Sequence, residues 1–295
     1  MIEVQEISKS FDSGEVLHQI SFSVPKSRVL GVVGPVGSGK STLLRILSGI
    51  HQPDAGLVLV DELPPKKRYV INRKLFFVSD EVVFEAGATL LQLRKFYKVF
   101  YSTFNDGIYH KLTAQFSLPE KAKLTSFSKG QRRLAALVLG LAIKPSILLL
   151  DEAFDGIDAA LRHKLKAIIT QQIDEEEMTV ILSSHNLREM EDICDMICLL
   201  KDGSISLFGD IDEIKAGFVR IQLAFDKPVD LDSFDKYKPL SLTQTGKLLT
   251  LIIQGEAEPV LLDLQKRKPI FIQEVPLTLE EIFILKAEAN HETVD

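Results

Sequence analysis

The sequence predicts an α/β fold with a mainly parallel sheet, and two observations support this prediction. Short, continuous apolar runs are typical of strands buried on both faces, and they occur at residues 29–33, 147–150, 180–182 and 196–200. Helical patterns alternate with these runs, at residues 40–48, 159–173 and 186–193. This alternation favours a parallel sheet with helices on both of its faces.

Three further regions flank or interrupt this sheet. Residues 1–24 alternate turn signals with short β-like runs, which predicts an antiparallel edge subdomain. Residues 88–143 carry a helical pattern, which predicts an inserted helical subdomain. From residue 216 onward, strand-like and helix-like segments predict a small α+β C-terminal appendage. We therefore expect one domain over residues 1–215 and a second over residues 216–295.

Length, composition and charge narrow the class of protein. A chain of 295 residues is long enough for one large α/β domain and an appendage. Apolar residues make up 45% and charged residues 26%, as in soluble globular proteins, and the net charge of -6 argues against a general nucleic-acid binder. The N-terminus lacks the pattern of a secretory signal, and the longest apolar run is about half the ~20 residues that a membrane helix needs.

Three smaller features have an ordinary structural interpretation. Cys194 and Cys198 lie in an apolar segment, which indicates core packing in a reducing compartment rather than a metal site. The basic residues 64–68 indicate a solvated turn. A stripe of aromatic residues in the helical region either packs in the core or forms a groove for a partner helix. Its members are Phe96, Tyr97, Phe100, Tyr101 and Phe104.

A glycine-rich loop follows the first buried strand. Residues 34–41 match the pattern G-x-x-x-x-G-K-[ST], with Thr42 next in the chain, and they lie between a predicted strand and a predicted helix. Its backbone N–H groups would surround phosphate oxygens, Lys40 would reach the β and γ phosphates of ATP, and Ser41 would ligate Mg²⁺. This loop predicts a P-loop NTPase whose nucleotide contacts are Gly34, Pro35, Val36, Gly37, Ser38, Gly39, Lys40, Ser41 and Thr42.

Two carboxylates follow the apolar run at residues 147–150. Asp151 and Glu152 would lie at the carboxyl edge of the parallel sheet, where ligands bind in open α/β sheets. Asp151 suits the surroundings of Mg²⁺, and Glu152 suits a general base for attack of water on the γ phosphate. Together with the glycine-rich loop, the pair predicts a site for nucleotide hydrolysis.

The order of these motifs resembles that of the ATP-binding cassette family over residues 2–215. The turn at residues 128–131, Ser-Lys-Gly-Gln, occupies the position of the family's signature. The resemblance implies that Ser128, Gly130 and Gln131 bind the nucleotide held by another subunit, with Ser128 and Gly130 near its γ phosphate. Taken alone, Ser128 would be an ordinary helix cap.

The resemblance also assigns roles to three other residues. His185 matches the family's switch histidine, which hydrogen-bonds the γ phosphate and the attacking water. Asp158 matches the aspartate of the D-loop, and it would also cap the helix that begins at residue 159. Phe11 stands where the family places an aromatic ring under adenine, although a core position is a second interpretation.

Two positions depart from the family's usual pattern. Asp80 stands where glutamine is usual, and its carboxylate would still meet Mg²⁺ or a water bound to it, so the predicted metal-site residues are Ser41, Asp80 and Asp151. Lys129 stands where glycine is common. This lysine and the tail at residues 277–283 are similar to exporters of the drug and bacteriocin self-protection kind, and they favour export.

The resemblance implies an ATPase subunit that forms a dimer, with an identical or similar chain, around two ATP·Mg²⁺. It would lie in the cytoplasm on the inner face of the membrane, held there by a separate transmembrane permease. A soluble ATPase that acts as a regulator or assembly factor on nucleic acid or a ribosome is the alternative. A small-molecule kinase is a third hypothesis, and it gives no reason for the signature or for His185. The transported compound is not readable, because the membrane partner would contact it.

Overall fold

The computed structural model describes residues 1–12, 14–63, 68–227 and 229–291. It divides into two compact units, Met1–Phe208 and Gly209–Asp295. The sequence had placed this boundary at residue 215. The difference arises because the short helix Ile211–Ala216 packs against a strand of the second unit. Residues 64–67 of the predicted basic turn lie outside the described residues.

The first unit contains a six-stranded sheet and a three-stranded sheet. Their strands are β1 (Ile2–Phe11), β2 (Gly14–Val24), β3 (Val29–Val33), β4 (Ala55–Val60), β5 (Leu75–Val78), β6 (Ile147–Asp151), β7 (Thr179–Ser184), β8 (Met196–Lys201) and β9 (Ser204–Asp210). The larger sheet has the order β5-β6-β7-β3-β8-β9, and its first five strands run parallel. The smaller sheet, β2-β1-β4, is antiparallel. Strands β3, β6 and β7 are buried at every residue, which explains their uninterrupted apolar runs.

Seven helices of the first unit lie within the described residues. They are α1 (Lys40–Ser48), α2 (Arg68–Lys74), α3 (Leu90–Phe100), α4 (Asp106–Gln115), α5 (Lys129–Ile143), α6 (Ala159–Glu176) and α7 (Leu187–Glu191). The predicted helical subdomain consists of α3, α4 and α5, and α5 is the central member because both of the others pack against it. Thr89 and Ser128 begin α3 and α5 with reciprocal capping boxes, which satisfy the first free N–H groups of each helix.

The core of the first unit lies between the two sheets and includes the buried face of α1. Both cysteines are buried, as predicted. Burial raises the pKa of the Cys198 thiol to about 12 and also raises the pKa of Cys194. Both groups therefore behave as apolar core residues. No helix in the described ranges is both long enough and apolar enough to span a bilayer.

The second unit is an α+β sandwich around one antiparallel sheet. Its elements are α8 (Ile211–Ala216), β10 (Phe218–Ala224), β11 (Ser241–Thr245), β12 (Leu248–Gln254), α9 (Ala257–Lys266), β13 (Phe271–Val275) and α10 (Leu279–His291). The sheet order is β11-β12-β10-β13. Side chains alternate along β10, so that Ile221 joins the core on one face while Phe218 joins the core on the other. The sequence missed β11, because its Ser-Leu-Thr-Gln-Thr pattern is polar and mostly exposed.

Candidate nucleotide site

The glycine-rich loop joins β3 to α1, and its backbone requires glycine. Gly37 and Gly39 have φ angles of 87° and 98°, a region that L side chains rarely adopt. A Cβ atom on Gly34 would lie 2.2 Å from the carbonyl oxygen of Leu200, and one on Gly39 would lie 2.6 Å from Leu17 Cδ2. These glycines keep the loop close to the sheet edge, with its backbone exposed for a phosphate group.

Lys40 is buried in the loop, with an exposed fraction of 6%. Its Nζ atom donates hydrogen bonds to the carbonyl oxygens of Gly34 and Pro35, at 2.8 and 3.0 Å. Burial lowers the pKa of Lys40, and the nearby carboxylates of Glu152 and Asp151 oppose this shift. The buried ammonium group therefore lies where the phosphates of a bound nucleotide would need a positive charge.

Asp151 lies at the end of β6 and is completely buried. Its Oδ1 atom accepts hydrogen bonds from Ser41 Oγ at 3.1 Å and from Ser183 Oγ at 2.6 Å. Its Oδ2 atom is buried and has no hydrogen-bond partner among the described residues. Burial raises the pKa of Asp151, the two serine hydroxyls oppose the shift, and Asp80 contributes to it.

These surroundings of Asp151 fit Mg²⁺, a hard cation that prefers oxygen ligands. The hydroxyl of Ser41 and the unpartnered oxygen of Asp151 supply such atoms at one place. In the described residues, no three His, Cys, Asp or Glu side chains form a metal-binding group. A bound metal would therefore depend on the serine and on phosphate oxygens, as in other P-loop NTPases.

Glu152 follows Asp151 directly and has a left-handed backbone, with φ at 48°. Its N–H donates to Ser183 Oγ at 3.0 Å, which holds this backbone at the sheet edge. The Glu152 carboxylate lies between two charged or polar partners: His185 Nδ1 is 2.9 Å from Oε2, and Lys40 Nζ is 4.0 Å from Oε1. The structure thus places Lys40, Glu152 and His185, the three predicted catalytic residues, side by side.

Asp80 lies after β5 and is held in a different way from Asp151. Its Oδ1 atom is buried, finds no hydrogen-bond partner in the described part of the chain, and lies 3.7 Å from Arg45 Nη2. The backbone carbonyl of Asp80 accepts two hydrogen bonds from Arg133. The structure therefore places Asp80 in an ion pair with Arg45, and its predicted role at the metal stays a prediction.

The signature turn at residues 128–131 is exposed and bonded to itself. Ser128 Oγ accepts a hydrogen bond from the N–H of Gln131 at 3.2 Å, and the Ser128 N–H donates to Gln131 Oε1 at 3.0 Å. Gly130 packs so closely that an added Cβ would lie 2.9 Å from the carbonyl oxygen of Gly156. Where the chain is described, the hydrogen bonds of Ser128 and Gln131 do not reach residues 34–42. The turn is thus a separate surface of the molecule.

Asp158 and Phe11 complete the predicted residues. Asp158 Oδ1 accepts hydrogen bonds from the N–H groups of Ala160 and Leu161, both at 3.1 Å, so this residue caps α6. Phe11 is 42% exposed, and its ring contacts that of His51 edge-on. The core interpretation of Phe11 is wrong, because β1 ends with this side chain at the surface.

Sequence reasoning missed Ser183 and Arg133. Ser183 bonds to both Asp151 and Glu152, and Arg133 bonds to the segments after β5 and β6. Ser183 lies two residues before His185, so a search for hydroxyls at strand ends could have found it. Arg133 has no such signal, because its partners are backbone carbonyls far away in the sequence.

Comparison with known proteins agrees with this geometry. The family model described as "ABC transporter" matches residues 17–155. The chain is 32% identical to the ABC transporter ATP-binding protein YtrB of Bacillus subtilis, over 97% of this chain and 98% of YtrB. It is also 32% identical to the sulfate/thiosulfate import ATP-binding protein CysA of Bacillus cereus, over 72% of this chain but only 62% of CysA.

Solved structures show the same fold for the first unit. An ATP-binding subunit of an ABC transporter superposes with a TM-score of 0.67 at 23% identity, covering 73% of this chain and 92% of that one. The ATP-binding cassette MJ0796, a dimer with ADP and Pi in a post-hydrolysis state, superposes with a TM-score of 0.65 at 21% identity, covering 71% and 98%. From its site geometry and its near full-length similarity to YtrB, the chain belongs to the ABC transporter family as an ATP-binding subunit, and it is an ATPase.

Proposed function

We propose that two chains, identical or similar, close around two ATP·Mg²⁺ and drive a separate transmembrane permease from its cytoplasmic face. One observation carries this proposal: the signature turn is exposed, and among the described residues the hydrogen bonds of Ser128 and Gln131 do not reach the P-loop of their own chain. The hydroxyl of Ser128 and the N-terminus of the 15-residue helix α5 form an anion site that is open on one side. A second chain would complete it.

Each chain would contribute two different parts. We name the first the hydrolytic half, which consists of residues 34–42, Asp151, Glu152 and His185. We name the second the signature half, which consists of residues 128–131. In the dimer, the hydrolytic half of one chain faces the signature half of the other, and Asp158 and Phe11 line the same nucleotide.

The hydrolytic half supplies the groups for attack of water on the γ phosphate. Lys40 now bonds to carbonyl oxygens of the loop that would surround the phosphates. On binding of ATP, it would exchange these bonds for bonds to phosphate oxygens. Glu152 would accept the proton of the attacking water, and His185, 2.9 Å away, would orient that water and the γ phosphate. Mg²⁺, held through Ser41 with Asp151 beside it, would neutralise charge on the β and γ phosphates.

A mixing experiment tests the shared site. Lys40→Ala and Ser128→Arg proteins should each be inactive, while heterodimers contain one intact composite site. For a symmetric dimer with independent sites, an equimolar mixture should recover about a quarter of wild-type ATPase activity.

The matched control for this mixture combines Lys40→Ala with Glu152→Gln. Both changes damage the hydrolytic half, so neither site of the heterodimer is intact and no activity should return. Lack of recovery in the first mixture, with heterodimers shown to form, would contradict the shared-site proposal.

The permease would dock on an apolar groove along α3. Phe96, Val99 and Phe100 are 55%, 80% and 58% exposed beside a groove of about 340 Å³, whereas Tyr97 and Tyr101 pack their rings against Phe76. Core packing therefore holds for Tyr97 and Tyr101, whereas the groove for a partner helix stays a proposal that concerns Phe96 and Phe100. The resemblance to the family implies that the permease is a separate chain, and a helical segment of it suits an apolar groove.

Co-purification tests the docking surface and the alternative function together. A detergent-extracted membrane subunit should co-purify with wild-type protein and be lost with Phe100→Glu, while Val83→Glu serves as a control on another exposed apolar residue. Capture of RNA or ribosomes instead would favour the soluble regulator. Export stays a prediction that rests on Lys129 and on the tail at residues 277–283, and CysA is named as an import protein.

A further inference from the structure

Arg133 is a buried arginine in the second turn of α5, with an exposed fraction of 2%. Its Nε and Nη2 atoms donate to the carbonyl oxygen of Asp80, at 3.3 and 2.9 Å. Its Nη1 atom donates to the carbonyl oxygen of Asp155 and lies 3.4 Å from that residue's Oδ2 atom. One guanidinium group therefore joins the signature helix to two loops at the sheet edge.

Both loops belong to the hydrolytic region of the same chain. The Asp155 N–H donates to the carbonyl oxygen of Glu152 at 3.1 Å. Asp155, which accepts the hydrogen bond from Arg133, is therefore bonded directly to the backbone of the general base. Beside Arg133, Gly130 of the signature contacts the carbonyl of Gly156. A continuous set of contacts thus leads from the signature turn to Glu152, and Arg133 is its charged member.

The chemistry of the guanidinium group explains why arginine suits this position. A buried cation is costly unless it is paired and hydrogen-bonded, and Asp155 supplies only a half-exposed carboxylate. Arginine offers five donors in a rigid fork, so it reaches carbonyls on two loops at once, whereas lysine offers a single compact ammonium group. Because the acceptors are backbone atoms, the bonds fix the positions of the loops themselves.

We propose that Arg133 is a positioning residue for ATP hydrolysis at both composite sites of the dimer. The inference rests on the proposed function, since the signature half of one chain serves the partner's ATP while its Glu152 serves its own. By joining the two halves, Arg133 makes the position of each depend on the other. Its loss should therefore slow hydrolysis at either site.

Dimers with one working site provide the test. The first chain carries Lys40→Ala and the second carries Ser128→Arg, so the intact site combines the second chain's hydrolytic half with the first chain's signature half. Arg133→Gln is then added to one chain at a time. We expect kcat to fall about tenfold with either placement, because small displacements of catalytic groups are costly, while KM for ATP changes by less than about twofold.

Each other outcome contradicts the inference. A loss only with the change in the first chain means that Arg133 supports the signature alone, and a loss only with the change in the second means that it supports Glu152 alone. If kcat falls in neither placement, Arg133 has no role in hydrolysis. A pair that is inactive before any change at Arg133 contradicts the shared-site proposal itself, so the two failures are distinguishable.

Two further variants separate positioning from folding. Arg133→Lys keeps the charge but not the planar group with its five donors, and we expect an intermediate loss of kcat in both placements in protein that still folds and forms dimers. If Arg133→Gln does not fold, Arg133→Lys alone decides the test by the same criteria. Arg267→Lys is the matched control, because Arg267 in the second unit also donates to a backbone carbonyl and a hydroxyl, both of Ser233 at 2.9 Å. It should leave kcat unchanged.

Discussion

The hydrolytic half and the signature half differ in how their polar groups are satisfied before ATP binds. In the hydrolytic half, Asp151 keeps a buried oxygen without a partner and Glu152 holds a left-handed backbone. In the signature half, Ser128 and Gln131 satisfy each other at the surface. Unsatisfied groups and backbone strain are typical of sites that wait for a ligand. From this comparison we expect ATP·Mg²⁺ to supply partners for the unsatisfied groups of the first half, whereas the polar groups of the second half already have partners of their own.

The largest effect is expected where the comparison assigns the chemistry. Glu152→Gln keeps the size of the side chain but removes the base, so kcat should fall by about 10² to 10⁴. ATP binding should persist, because Lys40 and the glycine-rich loop are unchanged. Single-turnover phosphate release and equilibrium ATP binding measure the two quantities. Phosphate release at the wild-type rate would show that another group accepts the proton.

Removing the cap of the signature helix tests whether the second half contributes more than stability. Ser128→Ala and Thr89→Ala each delete one capping box, and each should lower the free energy of unfolding by about 1 kcal/mol. Only Ser128→Ala should lower kcat, because Thr89 caps a helix away from the nucleotide. Chemical denaturation and ATPase assays provide the measurements. An equal loss of kcat in both variants would show that Ser128 acts only as a helix cap and has no separate role in hydrolysis.

The unpartnered Oδ2 atom of the buried Asp151 predicts a variant with greater stability. Burial raises the pKa of Asp151, so the folded state binds this proton more tightly than the unfolded chain. Stability is therefore lost as pH rises above the unfolded value of about 3.9. Asp151→Asn should raise the unfolding free energy of the nucleotide-free protein at neutral pH by about 1 kcal/mol. It should also abolish stabilisation by ATP·Mg²⁺. Ser183→Ala, which removes a donor to the same carboxylate, should instead be destabilising.

The smallest effect is expected outside both halves. Hydrogen bonds from Arg94 and then Lys98 lower the pKa of Asp106 to about 2. The stabilisation they provide is complete above the unfolded value of about 3.9 and is lost as pH falls towards 2. Asp106→Asn should lower the melting temperature slightly at neutral pH and low salt, without changing kcat. A difference that persists in high salt would exclude this electrostatic origin.

The features that the sequence predicts correctly are those set by residues adjacent in the chain. The glycine-rich loop and the Asp151–Glu152 pair depend on a few adjacent residues in a strand context, and the structure has both where the sequence predicts them. The roles of Ser183 and Arg133 arise from contacts between distant segments, which no local pattern records. In the second unit, β11 was missed because packing of a short polar strand, rather than its propensity, decides its structure.

The bonds of Lys40 to the carbonyls of Gly34 and Pro35 have a consequence for nucleotide exchange. When ADP leaves, the buried ammonium group of Lys40 can bond again to the carbonyl oxygens of its own loop. Product release would therefore not leave a buried cation without hydrogen-bond partners. We therefore expect the loop to need little ordering when the next ATP binds. The lysine that we predict to bind the phosphates of ATP would thus also hold its loop in place between rounds of hydrolysis.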